Sequence, residues 1–135
     1  MPSWNVAWMA GPIGVALGVA ALAAANPTSV IQQGTLPDTN AITPEVVTAG
    51  RKAFHGRGSC FACHGTSLEG GPIAPTLKSH EWKDAKGGDL ETLYYVITHG
   101  VKGTAMVARP GGIRDDEAAR IAAYIWSVNH RGAKP

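Results

Sequence analysis

The sequence predicts an all-α domain of three main helices joined by long loops. Three observations carry this. Apolar residues recur at helical spacing in three separate segments, and each segment has capping residues at its ends. The stretches between them are rich in Gly and Pro, and no run of alternating β-branched residues asks for a strand.

Residues 1–25 precede that domain. Trp4 to Ala25, "WNVAWMAGPIGVALGVAALAAA", is continuous apolar and small-residue sequence apart from Asn5, and no charged side chain occurs before Asp38. Ile13 to Ala25 suits the apolar core of a secretory signal, with Ala23-Ala24-Ala25 as the cleavage site. A retained membrane anchor is the alternative, because about 20 apolar residues span a bilayer. Both readings place the rest of the chain outside the cytoplasm. Residues 26–42, "NPTSVIQQGTLPDTNAI", show no sustained period and read as a linker.

The first helix begins at Thr43-Pro44-Glu45, an N-cap, a proline at the first helical position and an acid in the first turn. It runs to Phe54 or His55 and stops at Gly56. The second follows Asp89 as N-cap, with Leu90, Leu93, Tyr94 and Ile97 on one face and Gly100 at its end. The third starts near Asp115, carries an apolar stripe of Ala118, Ile121, Ala122 and Ile125, and ends before Gly132. Residues 43–132 therefore form one domain, and residues 133–135 are a tail. The domain is small for a self-sufficient core, which favours a stabilising cofactor.

Composition narrows the function. Lys and Arg number 12 against 10 Asp and Glu, for a net charge of +2. That balance, without any basic cluster, excludes nucleic-acid binding. The chain's 2 cysteines cannot staple a scaffold. They fall together in "GSCFACHG", as Cys60 and Cys63 with His64 directly behind. A zinc site needs four ligands, and no second cysteine pair exists. A redox dithiol belongs where a strand meets a helix. A disulfide closing so short a loop removes little chain entropy. Covalent haem fits the chemistry: two thiols add to the vinyl groups of one porphyrin, and the adjacent imidazole falls beneath the iron. His64 is then a metal ligand.

The second axial ligand decides what such a haem does. Met1 and Met9 lie in the leader, which leaves Met106, in the Gly- and Pro-rich stretch "GVKGTAMVARPGG". His99, closing the second helix, is its rival. An open iron is the third possibility. His55, His80 and His130 carry no ligand role in this reading.

These features together resemble the mono-haem class I cytochromes c of bacteria, over roughly Thr43 to Gly132. Cys60-Phe61-Ala62-Cys63-His64 comes early, after a first helix. "LYYVITHGVKGTAM" resembles the family's approach to its axial methionine, and "DDEAARIAAYIWSV" its last helix. "GGPIAPTL" resembles the loop in which a proline carbonyl accepts a hydrogen bond from the ligand histidine, and Pro75 is the best match. Gly50 and Phe54, with Ile121 and Tyr124, match the crossing of first and last helices. Two departures stand out. The connection from Phe54 to Cys60 is longer than usual, so a small extra loop is expected there, and Val107 follows Met106 where many members have proline.

The resemblance implies a fold of three main helices and loops wrapped around one covalent haem c, with Cys60, Cys63, His64, Pro75 and Met106 as cofactor-binding residues and iron held by His64 and Met106. It implies a one-electron carrier rather than an enzyme, in a periplasmic respiratory or photosynthetic chain. The alternative is a membrane-anchored subunit of a larger redox complex, at the outer face of the cytoplasmic membrane and attached through residues 4–25. An open-site haem sensor or enzyme is the remaining option. Leu77, Val96, Ile97 and Tyr124 are expected to wall off water, and Trp82, Tyr94 or Tyr95 to bond the propionates. Arg57, Lys78, Lys102 and Arg109 are expected to frame the exposed haem edge and steer redox partners with an acidic docking surface.

Overall fold

The caps named in the sequence set the three long helices. In α1 (Pro44–His55), the Thr43 hydroxyl accepts from the Val46 N–H at 3.5 Å. Glu45 occupies the first turn and Lys52 and His55 the last, each of the sign that the helix dipole favours. After the single turn α2 (Phe61–His64), helix α3 (Leu90–His99) starts at Asp89, whose carboxylate accepts from the Thr92 N–H at 2.9 Å. Burial pushes the Asp89 carboxyl up, but the hydroxyl and N–H of Thr92 outweigh it and hold it below its usual range. Helix α4 (Asp115–Arg131) has three acids in its first turn, and Glu117 reaches back to the Arg114 N–H at 2.9 Å.

The computed structural model describes Met1 and residues 35–79 and 82–135. The expected leader beyond Met1, and His80, lie outside them. Among the described residues no helix is long and apolar enough to cross a membrane, and there is no strand. Three short 3-10 turns, Thr39–Ala41, Lys86–Gly88 and Pro110–Gly112, complete the elements.

Helix α4 is the centre of the molecule and packs on both α1 and α3. The sequence suggested a single apolar stripe along it. The structure buries a wider arc that also takes in Ala119, Ala123 and Tyr124, because two partners need two faces. Helix α1 crosses α4 at Gly50. A Cβ built there would sit 2.0 Å from the Arg120 carbonyl oxygen and 2.8 Å from Tyr124 Cβ, so only a hydrogen allows this approach. One turn on, Phe54 meets Tyr124 edge to face with ring centroids 5.7 Å apart, both rings fully buried.

Two connections differ from a plain linker and loop. Residues 39–41 form a turn capped by Asp38, Ile42 is buried, and Arg131 donates to the carbonyls of Ile42 at 3.1 Å and Thr39 at 2.7 Å. The last residues before the domain are thus tied to the end of α4. The extra loop after α1 folds back on the helix, with Gly58 N–H donating to Ala53 at 3.0 Å and Cys60 N–H to Phe54 at 3.1 Å.

Replacing Gly50 by alanine forces α1 off α4. The variant is expected to lose about 2 kcal/mol or more of stability, read as a lower denaturant midpoint for the haem-loaded protein at unchanged slope.

Candidate cofactor site

Loops from both ends of the domain enclose a mainly apolar cavity of about 550 Å3 against α3 and α4. Leu77, Leu93, Val96, Ile97 and Ile125 supply aliphatic wall, and Cys60, Cys63, His64, Pro75 and Met106 all line it. Every residue that the sequence named as cofactor-binding therefore faces one space. The size lies within the range of small-molecule and cofactor sites.

On one side stands the cysteine segment. Cys60 is the N-cap of α2 and His64 ends it, so one helical turn presents the two thiols and the imidazole together. Both cysteines are free thiols. Burial pushes the Cys60 thiol up to about 11; its own backbone pulls it partway back, and the neighbouring Cys63 adds to the rise. Cys60 is therefore a neutral thiol at physiological pH. Among the described residues, no three His, Cys, Asp or Glu side chains form a metal cage.

His64 Nδ1 lies 2.9 Å from the carbonyl oxygen of Pro75. A carbonyl only accepts, so Nδ1 carries the proton and Nε2 keeps its lone pair for a metal. The chain directly after Pro75 is itself held in place. Leu77 N–H donates to Leu68 at 2.8 Å, the Thr76 hydroxyl donates to the same carbonyl at 3.0 Å, and Trp82 Nε1–H donates to Thr76 at 2.7 Å. Leu68 holds a left-handed φ of 64° while its side chain is fully buried. Such a conformation persists only where the surroundings over-determine it. Gly70 lies flat on the Pro75–Thr76 peptide, where a Cβ would fall 2.4 Å from the Thr76 nitrogen.

The loop from Gly100 to Arg109 lines the same cavity through Val101 and Thr104 to Val107. Val101 N–H donates to the Met106 carbonyl at 2.9 Å, and the Thr104 hydroxyl accepts from the Met106 N–H at 3.1 Å. Gly100 comes so close to the returning strand of the loop that a Cβ would stand 2.6 Å from the Met106 carbonyl oxygen. Met106 is half-buried and packs on the core. This donor set suits haem c: two thiols and a tautomer-fixed imidazole on one segment, a thioether across the cavity, and aliphatic walls between.

Several residues named from sequence lie elsewhere. Tyr124 does not line the cavity; it is consumed by the α1–α4 crossing. The Trp82 indole has a single N–H, and Thr76 occupies it, so Trp82 lines the cavity without a donor for a propionate. Tyr95 is exposed and stacks on His99, with centroids 4.1 Å apart. His99 is turned outward with it, its Nδ1–H donating to the Tyr95 carbonyl at 3.1 Å, and is absent from the cavity wall. The rival ligand thus faces away. His55 bridges the end of α1 to the loop behind the cysteine segment, with Nδ1 2.9 Å from the Arg51 carbonyl and Nε2 2.8 Å from that of Thr66.

Asn129 was not foreseen. Its amide donates to the carbonyls of Leu77 and Ile125, both at 2.8 Å, joining the Pro75 loop to α4 across 52 residues of chain. A polar residue late in a helix gives no sequence signal of such a partner.

The family model described as cytochrome c oxidase, cbb3-type, subunit III matches residues 45–125. The FixPc subunit of the cbb3-type cytochrome c oxidase of Rhizobium leguminosarum bv. viciae is 26% identical over 104 residues, covering 71% of this chain and 35% of its own length. The CcoP subunit of Cereibacter sphaeroides is 32% identical over 106 residues, 74% of this chain and 32% of its own. The chain therefore spans about a third of the length of these curated relatives. Among solved structures, cytochrome cL of Methylophaga aminisulfidivorans superposes with a TM-score of 0.60 at 23% identity, covering 76% of this chain and 68% of that one. Cytochrome c6 of the diatom Phaeodactylum tricornutum gives 0.53 at 28% identity, over 64% and 98%.

Truncating Asn129 to alanine leaves the Leu77 carbonyl without its partner on α4. The expected cost is about 1–3 kcal/mol, measured by denaturant unfolding of the haem-loaded protein, with a larger loss than for alanine at exposed Asp38.

Proposed function

The chain belongs to the family of cbb3-type cytochrome c oxidase subunit III, as a class I mono-haem cytochrome c whose cofactor is covalent haem c, and from that premise we propose that it passes single electrons with its iron held between His64 and Met106. The observation that supports this most is the single cavity lined by Cys60, Cys63 and His64 on one segment and by Met106 on another. When bound, the haem supplies a ferric/ferrous couple at neutral pH. The chain's own residues do the rest. Cys60 and Cys63 tether the ring through thioethers. Pro75 holds the His64 proton on Nδ1, so that Nε2 points its lone pair at the metal and gains basicity. The Met106 sulfur would be the second protein ligand and, as a soft donor in an apolar site, would favour the reduced state. Leu77, Val96 and Ile97 exclude water. With His64 and Met106 both holding the iron, no position would be left for a substrate, and the site would serve electron transfer.

The family's description and the relatives' names support placing the chain in a membrane redox complex over a freely diffusing carrier. In this proposal the domain works at the outer face of the cytoplasmic membrane, attached through residues 4–25 if they are retained. Partner contact falls at the mouth of the cavity, where Ile73 and Val107 line it and are 66% and 60% exposed. Arg57, Lys78 and Lys102 lie exposed and would steer an acidic partner. Arg109 is answered by Asp115 and adds little to that field.

Carbon monoxide tests the ligand set. The reduced wild-type protein is expected to resist it, and the oxidised protein to show the weak far-red sulfur-to-iron band. Met106→Ala abolishes the band and opens the reduced iron to rapid carbon monoxide binding. Rapid binding by the wild type, or a band that survives in the variant, contradicts the assignment.

A further inference from the structure

Arg109 sits where three elements meet. Its backbone N–H donates to the Ile97 carbonyl at 2.9 Å, in the last turn of α3. Its guanidinium donates from Nη1 to the Thr98 carbonyl at 3.2 Å, one residue further along the same helix. Nε and Nη2 both engage Oδ1 of Asp115, at 3.1 and 2.5 Å, the first residue of α4. One residue thus closes the base of the loop that runs from Gly100 to Arg109 and pins that base to α4.

The backbone underlines the point. Arg109 holds φ 47° and ψ 63°, a left-handed conformation that a long L side chain enters only at a cost. Glycine would adopt it freely, and glycine follows Pro110 immediately. What the arginine side chain holds, the Thr98 carbonyl and Asp115, offsets that cost. Surface charge alone does not require this position, since the charge is neutralised by Asp115. Met106 lies three residues upstream on the same loop, and among the described residues its carbonyl and N–H are tied to Val101 and Thr104, within that loop. The loop's internal bonds shape it, and Arg109 fixes where that shape stands relative to α3 and α4.

We infer that Arg109 is a positioning residue for Met106: its fork to Thr98 and Asp115 holds the loop closed over the cavity and keeps the thioether at the iron. This rests on the proposed ligation by Met106. On this inference the loop has a closed and an open form, and removing a charge-assisted clamp shifts its population toward the open one. In the open form the iron accepts an outside ligand.

The test uses full-length haem-loaded protein, imidazole as the outside ligand, and the variants Arg109→Gln, Arg109→Lys and Asp115→Asn. In the wild type the far-red band and the far-ultraviolet helix signal are expected to fade together on heating. In Arg109→Gln the band fades well before the helices, and imidazole binds the oxidised protein roughly tenfold more tightly, as expected when one charge-assisted contact is lost. Arg109→Lys keeps a charge for Asp115 but not the fork to Thr98, and falls between. Asp115→Asn, which leaves the Thr98 contact in place, moves in the same direction by less. A merely structural role lowers both melting signals together and leaves imidazole binding unchanged, and that result overturns the inference. A wild type without the far-red band instead overturns the ligation by Met106, and the two failures are told apart because one appears in the wild type and the other only in the variants.

Discussion

Gly50 lets the backbone of α1 rest against the Arg120 carbonyl of α4, and the placement of the cavity follows from that approach. With the two helices this close, Phe54 and Tyr124 meet ring to edge and fill the crossing. The chain leaving α1 then has one course, because Gly58 and Cys60 hydrogen-bond back to Ala53 and Phe54. The cysteine segment is thereby delivered to the cavity mouth by the same helix end that makes the crossing. Helix α4 reaches the cavity from the other side through Ile125 and anchors the Pro75 loop through Asn129. In so small a domain a cavity of about 550 Å3 is a large share of the interior, and in the proposed function the haem would fill it and complete the core.

The two sides of the cavity are held differently, and this bears on what the site does. The side of His64 is dense in short, directional bonds: Pro75 to the imidazole, Leu68 to Thr76 and Leu77, Trp82 to Thr76. Each positions the next, so the imidazole has little freedom. The side of Met106 is a loop shaped by its own internal bonds and closed at its base. In the proposed function one donor would come from a densely bonded segment and the other from a loop shaped by its own bonds.

Much of this was legible in the sequence because caps and close approaches leave local marks. Thr43-Pro44, Asp89 and Gly132 fixed the helix ends, and each stands where its backbone chemistry requires. Gly50, Phe54, Ile121 and Tyr124 pointed to the crossing because only a glycine admits it. The cysteine motif and the lone methionine of the folded part pointed to the cavity. What escaped depends on orientation. Tyr124 was expected as a cavity wall, but the second face of α4 turns it toward α1. Trp82 was expected to offer its N–H to a cofactor, yet a carbonyl six residues back takes it. His99 looked like a rival ligand until the Tyr95 stack turned it outward. Arg109 read as one of four surface charges, since sequence shows a charge but not its partner. The last residues of the presumed linker carry no period, and only Arg131 in the fold shows them docked.

The central claim is that one side chain from each side of the cavity, His64 and Met106, holds the iron. Nuclear magnetic resonance of the reduced protein tests it most directly. Ring current shifts the methyl of a methionine lying on the porphyrin axis far upfield, and a ring N–H held in a hydrogen bond exchanges more slowly with solvent than an unbonded one. The account predicts one such methyl, assigned to Met106, and one slowly exchanging Nδ1–H, assigned to His64. A Met106 methyl at its ordinary position, or a His64 ring proton lost at once to solvent, would contradict it.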